Sequence, residues 1–147
     1  MYCVMIAGLG LLHTGGETWE SESHFDKTIE LFNLESNTSC RVNATLDRPR
    51  SGHSGHRDLV CGGRDGADVI FTCYNVITAQ TIKLNEPRGS HTSWSTDSGV
   101  YLLGGQSSIV GTLLKSVEFI NTSASSVHSS VSGFQLRKST RYVNRKS

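Results

Sequence analysis

Residues 48–63 contain side chains that nucleophilic chemistry would use. The segment GHSGH within them resembles the G-x-S-x-G turn that presents a catalytic serine, but its fifth position is His56 and not glycine. That turn also needs a strand before it and a helix after it. Here an arginine–proline run precedes Ser54, and an apolar run ending in glycines follows it. The sequence therefore disfavours a serine hydrolase.

The same segment offers His53, His56 and Cys61 as candidate metal ligands. Residues three apart on a strand point to opposite faces, so one ion would not contact both histidines unless a turn intervened. None of the four cysteines of the chain lies in a C-x-x-C pair, which leaves a zinc ribbon or a thiol redox motif unsupported. We predict no catalytic residue, no metal site and no cofactor.

Composition and charge exclude two classes of partner. The chain has 147 residues and a net charge of +1, too little to attract nucleic acid. It contains no apolar run of about 18 residues, so we expect no membrane span. The apolar opening MYCVMIAGLGLL lacks a basic start and a clear cleavage site, which favours a strand over a signal peptide.

Glycine pairs divide the chain into repeats. Each pair ends a short apolar run, and each is followed by an alternating apolar segment that closes near an aromatic residue. The pairs are Gly15–Gly16, Gly62–Gly63 and Gly104–Gly105, in steps of 47 and 42 residues. A period of about 40 to 50 residues with several short strands is typical of β-propeller blades. No segment sustains the apolar period of a helix.

An R-x-x-H element precedes two of the glycine pairs. It occurs at Arg50–His53 and at Arg88–His91, 38 residues apart. A packing residue recurs in every repeat, whereas a catalytic residue has no reason to do so. We therefore expect both histidines to bridge the backbone of neighbouring blades. Trp94 lies beyond the second element, and we expect it to pack between blades rather than to serve as a ligand platform.

These residues resemble the kelch repeat, in which an R-x-G-H element opens the inner strand and a hydrophobic strand ends in a double glycine. A third strand of that repeat carries an aromatic residue, and a fourth carries a tryptophan that is absent here. The matching positions are Gly15 and Gly16, then Arg50, His53, Gly62, Gly63 and Tyr74, then Arg88, His91, Gly104, Gly105 and Phe119. The resemblance covers most of residues 7–121 and implies an all-β, kelch-type β-propeller.

The repeats predict a partial propeller of about two and a half four-stranded blades. We place a partial blade at 1–47, entering at its second strand, and further blades at 48–86 and 87–136. In the middle blade we predict strands near 53–57, 58–63, 69–74 and 81–84. The basic segment 137–147 is interpreted as a frayed tail. Because a closed propeller needs four or more blades, we expect a fragment or a ring completed by association.

The middle repeat has cysteine at two positions where neither flanking repeat has one. Aligned on the glycine pairs, Cys61 and Cys73 take the places of Leu103 and Glu118 in the last repeat. Folded about a turn near Ala67, they would be directly opposed on antiparallel strands, at a Cα separation of about 4.5–5.5 Å. We predict a disulfide between them, and two unpaired thiols are the alternative.

Cys3 and Cys40 carry no such argument: they pair with each other, or Cys40 has lost its partner. The pattern of cysteines resembles that of secreted, cysteine-bearing kelch proteins of invertebrates. Three N-x-[ST] sequons, at Asn37, Asn43 and Asn121, also favour an oxidising, extracellular compartment. A cytoplasmic location is the alternative.

The sequence thus predicts a non-catalytic kelch-repeat module that binds a protein or a glycan. Propellers bind through loops at the ends of their blades, so Arg50 and Arg88 are candidate contact residues. Two alternatives stay open. One is an intracellular kelch adaptor that recruits a substrate to a ubiquitin ligase, and the other is the remnant of a propeller enzyme.

Overall fold

The computed structural model describes residues 3–6, 10–18, 24–33, 38–66, 68–122 and 126–129, which form twelve strands and no helix. Sheet 1 contains β1 (Cys3–Ile6), β2 (Gly10–Thr18), β3 (His24–Asn33) and β4 (Thr38–Thr45). Sheet 2 contains β5 (Ser54–His56), β6 (Leu59–Cys61), β7 (Thr72–Asn75) and β8 (Thr81–Lys83). Sheet 3 contains β9 (Thr92–Thr96), β10 (Gly99–Leu103), β11 (Val117–Asn121) and β12 (Ser126–Ser129).

Each sheet is an antiparallel meander whose strands pair in chain order. The first strands of the three sheets, β1, β5 and β9, lie side by side, and β8 contacts β12. The all-β prediction is therefore confirmed. The expectation that the first unit is partial and enters at its second strand is wrong, because Cys3–Ile6 supplies the first of four strands in sheet 1. The proposed tail at 137–147 lies outside the described residues.

Apolar side chains fill the two spaces between sheets, since alternate residues of a strand face opposite neighbours. One cluster lies between sheets 1 and 2, and the other lies between sheets 2 and 3. The first contains Ile29, Leu46 and Val60, and the second contains Leu59, Cys61, Cys73, Leu84, Val100, Leu102 and Ile120. Burial of each large aliphatic side chain contributes about 1.5–3 kcal/mol to folding.

Cys61 and Cys73 form a disulfide in the second cluster, as predicted. Their sulfurs are 2.08 Å apart and their Cα atoms 3.9 Å apart, and they are direct partners across β6 and β7. The register also corrects the alignment by which they were found. Leu103 pairs with Val117, so the counterpart of Cys73 in sheet 3 is Val117 and not Glu118.

The aromatic residues near the ends of the third strands caused this one-residue error. Tyr74 lies one residue after Cys73, whereas Phe119 lies two residues after Val117, so the two rings face opposite sides of their sheets. Tyr74 packs against the cluster between sheets 1 and 2. In sheet 1 the pair equivalent to Cys61 and Cys73 is Thr14 and Ile29.

Cys3 and Cys40 cannot pair with each other within the chain. They lie on β1 and β4, the two edges of sheet 1, with β2 and β3 between them. Three inter-strand spacings place their Cα atoms about 14 Å apart, twice the limit of about 7 Å for a disulfide.

Removal of the disulfide by the double substitution Cys61→Ala and Cys73→Ala should lower the free energy of unfolding by about 2–3 kcal/mol, because it releases a short closed loop in the unfolded chain. Urea denaturation followed by circular dichroism measures the change. The wild type in reductant should lose a similar amount, and the double variant should not respond to reductant. Equal midpoints for the wild type with and without reductant would contradict the prediction.

Candidate functional site

The glycine pairs and the arginines meet at the boundaries between sheets, which we call joints. At the first joint Gly16 N–H donates to the Arg50 carbonyl at 2.9 Å, and at the second Gly63 N–H donates to the Arg88 carbonyl at 2.8 Å. The arginine N–H groups return a bond to the preceding sheet. Arg50 donates to the Asp26 carbonyl at 3.4 Å, and Arg88 donates to that of Ile70 at 3.1 Å. Each joint therefore rests on a pair of backbone hydrogen bonds.

At both joints the first glycine of the pair has no side chain, and this allows the arginine carbonyl to lie against its backbone. A Cβ atom on Gly62 would lie 2.2 Å from the Arg88 carbonyl oxygen, and one on Gly15 would lie 2.6 Å from that of Arg50. Gly62 also has φ +60°, which other residues adopt only at a cost. The glycine pairs are thus contact points between sheets as well as turns.

The arginine side chains turn back into their own sheets. Arg50 Nη1 donates to the carbonyls of Gly62 (3.0 Å) and Thr72 (2.8 Å), and its Nη2 donates to the Thr72 hydroxyl. Arg88 makes the same contacts with Gly104 and Ser116. Both arginines are fully buried. The expectation that they contact a partner is therefore wrong, since neither side chain reaches the surface.

Each buried guanidinium has a carboxylate beside it. Arg88 Nη2 lies 2.7 Å from Glu118 Oε1, and that carboxylate also accepts the N–H groups of Asn85 and Glu86. Arg50 Nη2 lies 2.9 Å from Asp47 Oδ1. Glu118 is 1% exposed, so this pair is fully desolvated and removal of one partner would leave a buried charge. The role of Glu118 was not predicted from the sequence, although an acidic residue within the apolar segment SVEFIN was the available signal.

The histidines of the two R-x-x-H elements bind hydroxyl groups of the preceding sheet. His53 Nε2 lies 3.0 Å from Thr14 Oγ1, and His91 Nε2 lies 2.7 Å from Ser54 Oγ. They bridge neighbouring sheets as predicted, but these contacts reach hydroxyl side chains where backbone was expected. Cys61 occupies in sheet 2 the position that Thr14 occupies in sheet 1. Because Cys61 has no hydroxyl group, the hydroxyl that contacts His91 comes from Ser54 on the neighbouring strand.

The Ser54–His91 contact has the geometry of a nucleophile and its base. Burial lowers the pKa of His91 to about 4, helped by the charges of Arg88 and His53 and opposed by a hydrogen bond to the Arg88 backbone. A base with so low a pKa is poorly matched to neutral pH. The parallel contact between Thr14 and His53 indicates that the arrangement belongs to the joint.

The candidate metal ligands do not converge. Cys61 is bonded to Cys73, and His53 contacts Thr14. Across the described ranges no group of three or more His, Cys, Asp or Glu side chains is arranged to hold an ion. His56 is buried, and burial followed by the nearby charge of Arg57 lowers its pKa.

The remaining predicted positions lie apart from the joints. Asn37 is outside the described residues, Asn43 lies in β4, and Asn121 ends β11 opposite Gly99. Glycosylation of these sequons stays a prediction. Trp94 is 68% exposed and packs on no neighbouring sheet within the described residues, contrary to the expected role. It lies on the side of sheet 3 that faces away from sheet 2.

Comparison with known proteins identifies the fold alone. No family model matches the chain, and no curated protein matches it in sequence. Among solved structures it resembles that of YjhT, a β-propeller-type protein, with a TM-score of 0.67 and 13% identity. The match covers 90% of this chain and 52% of the other, so the chain spans about half the length of YjhT. The described residues include no helix long and apolar enough to cross a membrane.

Substitution of Gly62 by alanine should destabilise the protein much more than the same substitution at Gly111. Both glycines have positive φ, but a Cβ at Gly111 meets nothing within 4 Å. Gly111→Ala should therefore cost only about 1–2 kcal/mol of backbone strain. Gly62→Ala adds a clash with the Arg88 carbonyl and should cost more than about 3 kcal/mol. Equal losses of unfolding free energy in urea denaturation would show that the close contact at Gly62 does not affect stability.

The stability of the protein should fall as the pH is lowered from about 6.5 towards 4, because the unfolded chain protonates His91 near pH 6.5 and the folded chain does so only near pH 4. The full difference corresponds to about 3 kcal/mol. Unfolding midpoints measured between pH 7 and pH 4 test this expectation. His91→Gln should flatten the profile, and an unchanged slope in that variant would contradict the assignment.

Proposed function

We propose that the protein is a kelch-type β-propeller module that binds a protein partner outside the cell and has no catalytic activity of its own. The observation that carries the proposal is the use of the chemically capable side chains in the joints. His53, His91, Arg50 and Arg88 each bond within or between sheets, in arrangements that occur twice. Repetition of this kind supports a packing role.

The loop between β10 and β11 is the best candidate for the binding surface. Ile109 is 61% exposed and Val110 88% exposed, and they adjoin each other at the tip of this loop. The tip of the corresponding loop of sheet 2, between Arg64 and Val69, carries Asp65 and Asp68 and no pair of large apolar residues. Neighbouring exposed apolar side chains mark interaction sites, and aliphatic groups without hydrogen-bonding atoms favour a protein surface over a glycan.

The disulfide between Cys61 and Cys73 supports an extracellular location, because disulfides persist in oxidising compartments and are rare in the cytosol. An intracellular adaptor would keep both cysteines reduced. Counting free thiols in the protein isolated from its natural source under denaturing conditions distinguishes the two locations.

The binding proposal predicts that Ile109→Asp with Val110→Asp abolishes partner binding. The purified chain is applied to an array of extracellular protein domains and to a glycan array, and the double variant should lose every signal that the wild type gives on the protein array. Ile77→Asp is the matched control, since Ile77 is 71% exposed on the β7–β8 loop and its substitution should leave the signals intact. Loss in the control variant alone, or binding confined to glycans, would contradict the proposal.

A hydrolytic enzyme is the second candidate, favoured by the 2.7 Å between Ser54 Oγ and His91 Nε2. Hydrolysis of 4-nitrophenyl acetate by the wild type should not exceed that of Ser54→Ala. Thr14→Ala serves as the control at the parallel contact. Turnover that disappears only in Ser54→Ala would replace the binding proposal with an enzymatic one.

A further inference from the structure

A small pocket lies between sheets 2 and 3, at the end of the sheets opposite the joints. The turn between β5 and β6, the turn between β7 and β8 and the residue after β11 surround it. Its walls carry one carboxylate, two amides, a hydroxyl and two aliphatic side chains, which belong to Asp58, Asn75, Gln80, Thr122, Leu59 and Ile82. The cavity measures about 60 Å³ and is partly open to solvent. It therefore admits a group of a few heavy atoms, since one water needs about 10–15 Å³.

Asn75 takes a strand position that is apolar in both other sheets. It lies two residues after Cys73 on the third strand of sheet 2. The corresponding residues, counted in the same way, are Leu31 in sheet 1 and Phe119 in sheet 3. Leu31 packs against the cluster between sheets 1 and 2, whereas Asn75 lines the pocket. A polar side chain thus stands where packing between sheets would favour an apolar one.

Thr122 departs from the repeat on the opposite wall. Its N–H donates to the Ser98 carbonyl at 3.2 Å, as the N–H of Val76 donates to the Asp58 carbonyl at 2.8 Å. The two residues therefore follow the third strands of their sheets in the same way. Val76 packs against the cluster between sheets 1 and 2, whereas Thr122 lines the pocket. Apolar side chains that pack between the first two sheets are replaced by polar ones that border a cavity between the next two.

Asp58 gives the pocket a negative charge. Its carboxylate accepts a hydrogen bond from Asn75 Nδ2, and no ion pair among the described residues includes it. The Asn75 amide is itself fixed, because its Oδ1 accepts the N–H groups of Ile77 and Thr78, each at 2.9 Å. The carboxylate is thus held at the pocket without a cation beside it. A charged hydrogen-bond donor is the partner that such a group binds most strongly.

We propose that this pocket binds a primary alkylammonium group. The ammonium donates hydrogen bonds to the Asp58 carboxylate and to the side-chain oxygens of Gln80 and Thr122. Its methylene chain packs against Leu59 and Ile82, as the stem of a lysine covers apolar surface while its charged end meets polar groups.

The composition of the walls favours this ligand over two others. A calcium ion takes six to eight oxygen ligands, and the pocket supplies a single carboxylate. A neutral polyol would bond the amides but would leave the charge of Asp58 without a counter-ion. The ammonium group can come from a lysine side chain of a protein or from a free aliphatic amine. The proposal does not depend on the function of the Ile109–Val110 loop, which lies at the other end of sheet 3.

The test uses the full chain labelled with ¹⁵N and the probe Nα-acetyl-lysine N′-methylamide. We expect saturable chemical-shift changes at the side-chain amide groups of Asn75 and Gln80. The matched control ligand carries a further acetyl group on Nε, which keeps the stem and removes the charge. It should bind at least about tenfold more weakly, because hydrogen bonds to a charged group are lost. Butylamine separates the two sources, and both results support the pocket: tighter binding of the lysine derivative indicates a protein side chain, and tighter binding of butylamine indicates a free amine.

Protein variants locate the binding at the pocket. Asp58→Asn keeps the shape of the side chain and removes the charge, and it should weaken binding at least about tenfold. The matched control is Asp97→Asn, which alters an exposed carboxylate of the β9–β10 turn outside the pocket and should bind as the wild type does. Thr122→Val removes a hydroxyl from the opposite wall and should weaken binding several-fold in a protein whose ¹⁵N spectrum is otherwise retained.

Three results would overturn the proposal. They are equal affinity for the acetylated and unacetylated ligands, equal affinity of Asp58→Asn and Asp97→Asn, and no shift at Asn75 or Gln80 at high millimolar amine. Shifts at these groups with glycerol or calcium chloride, but not with either amine, would also overturn it, in favour of a polyol or a divalent cation.

Discussion

A hydrogen bond between a glycine N–H and an arginine carbonyl sets the spacing of neighbouring sheets. The Gly63 nitrogen lies 2.8 Å from the Arg88 carbonyl oxygen. The two backbone segments are then so close that a Cβ atom on Gly62 would overlap this carbonyl. The backbone of the arginine is thus committed to the preceding sheet. Its side chain is left to stabilise the sheet that it opens, where it binds carbonyls at the ends of the second and third strands. One residue therefore links two sheets through different groups.

This double use explains why the protein tolerates buried charge. Burial of a guanidinium is costly unless it is paired and hydrogen-bonded, and the two Nη groups of Arg88 bond backbone carbonyls, a hydroxyl and the Glu118 carboxylate. The carboxylate in turn fixes the backbone of Asn85 and Glu86 ahead of the arginine. The polar network specifies how each repeat begins, whereas the apolar clusters between sheets supply most of the free energy of burial.

The sequence was sufficient for the fold class and for the elements of the joints, because glycine pairs and R-x-x-H elements have few other physical uses at such a period. It also identified Cys61 and Cys73, since both depart from the repeat together. It was insufficient for the register of the third strand. The loops between the second and third strands differ in length, and Tyr74 and Phe119, which were aligned with each other, are one residue out of register. The burial of Arg88 was missed because loop position and positive charge suggest exposure, and nothing in one sequence shows that backbone carbonyls surround a guanidinium.

The hydroxyl that contacts the next histidine lies on the second strand of sheet 1 but on the first strand of sheet 2. Thr14 in sheet 1 contacts the next histidine directly, but Cys61 holds that place in sheet 2 and is committed to Cys73. Ser54 on the adjoining strand contacts His91 instead. The disulfide within sheet 2 and the hydroxyl contact between sheets 2 and 3 are thus carried by different strands, β6 and β5.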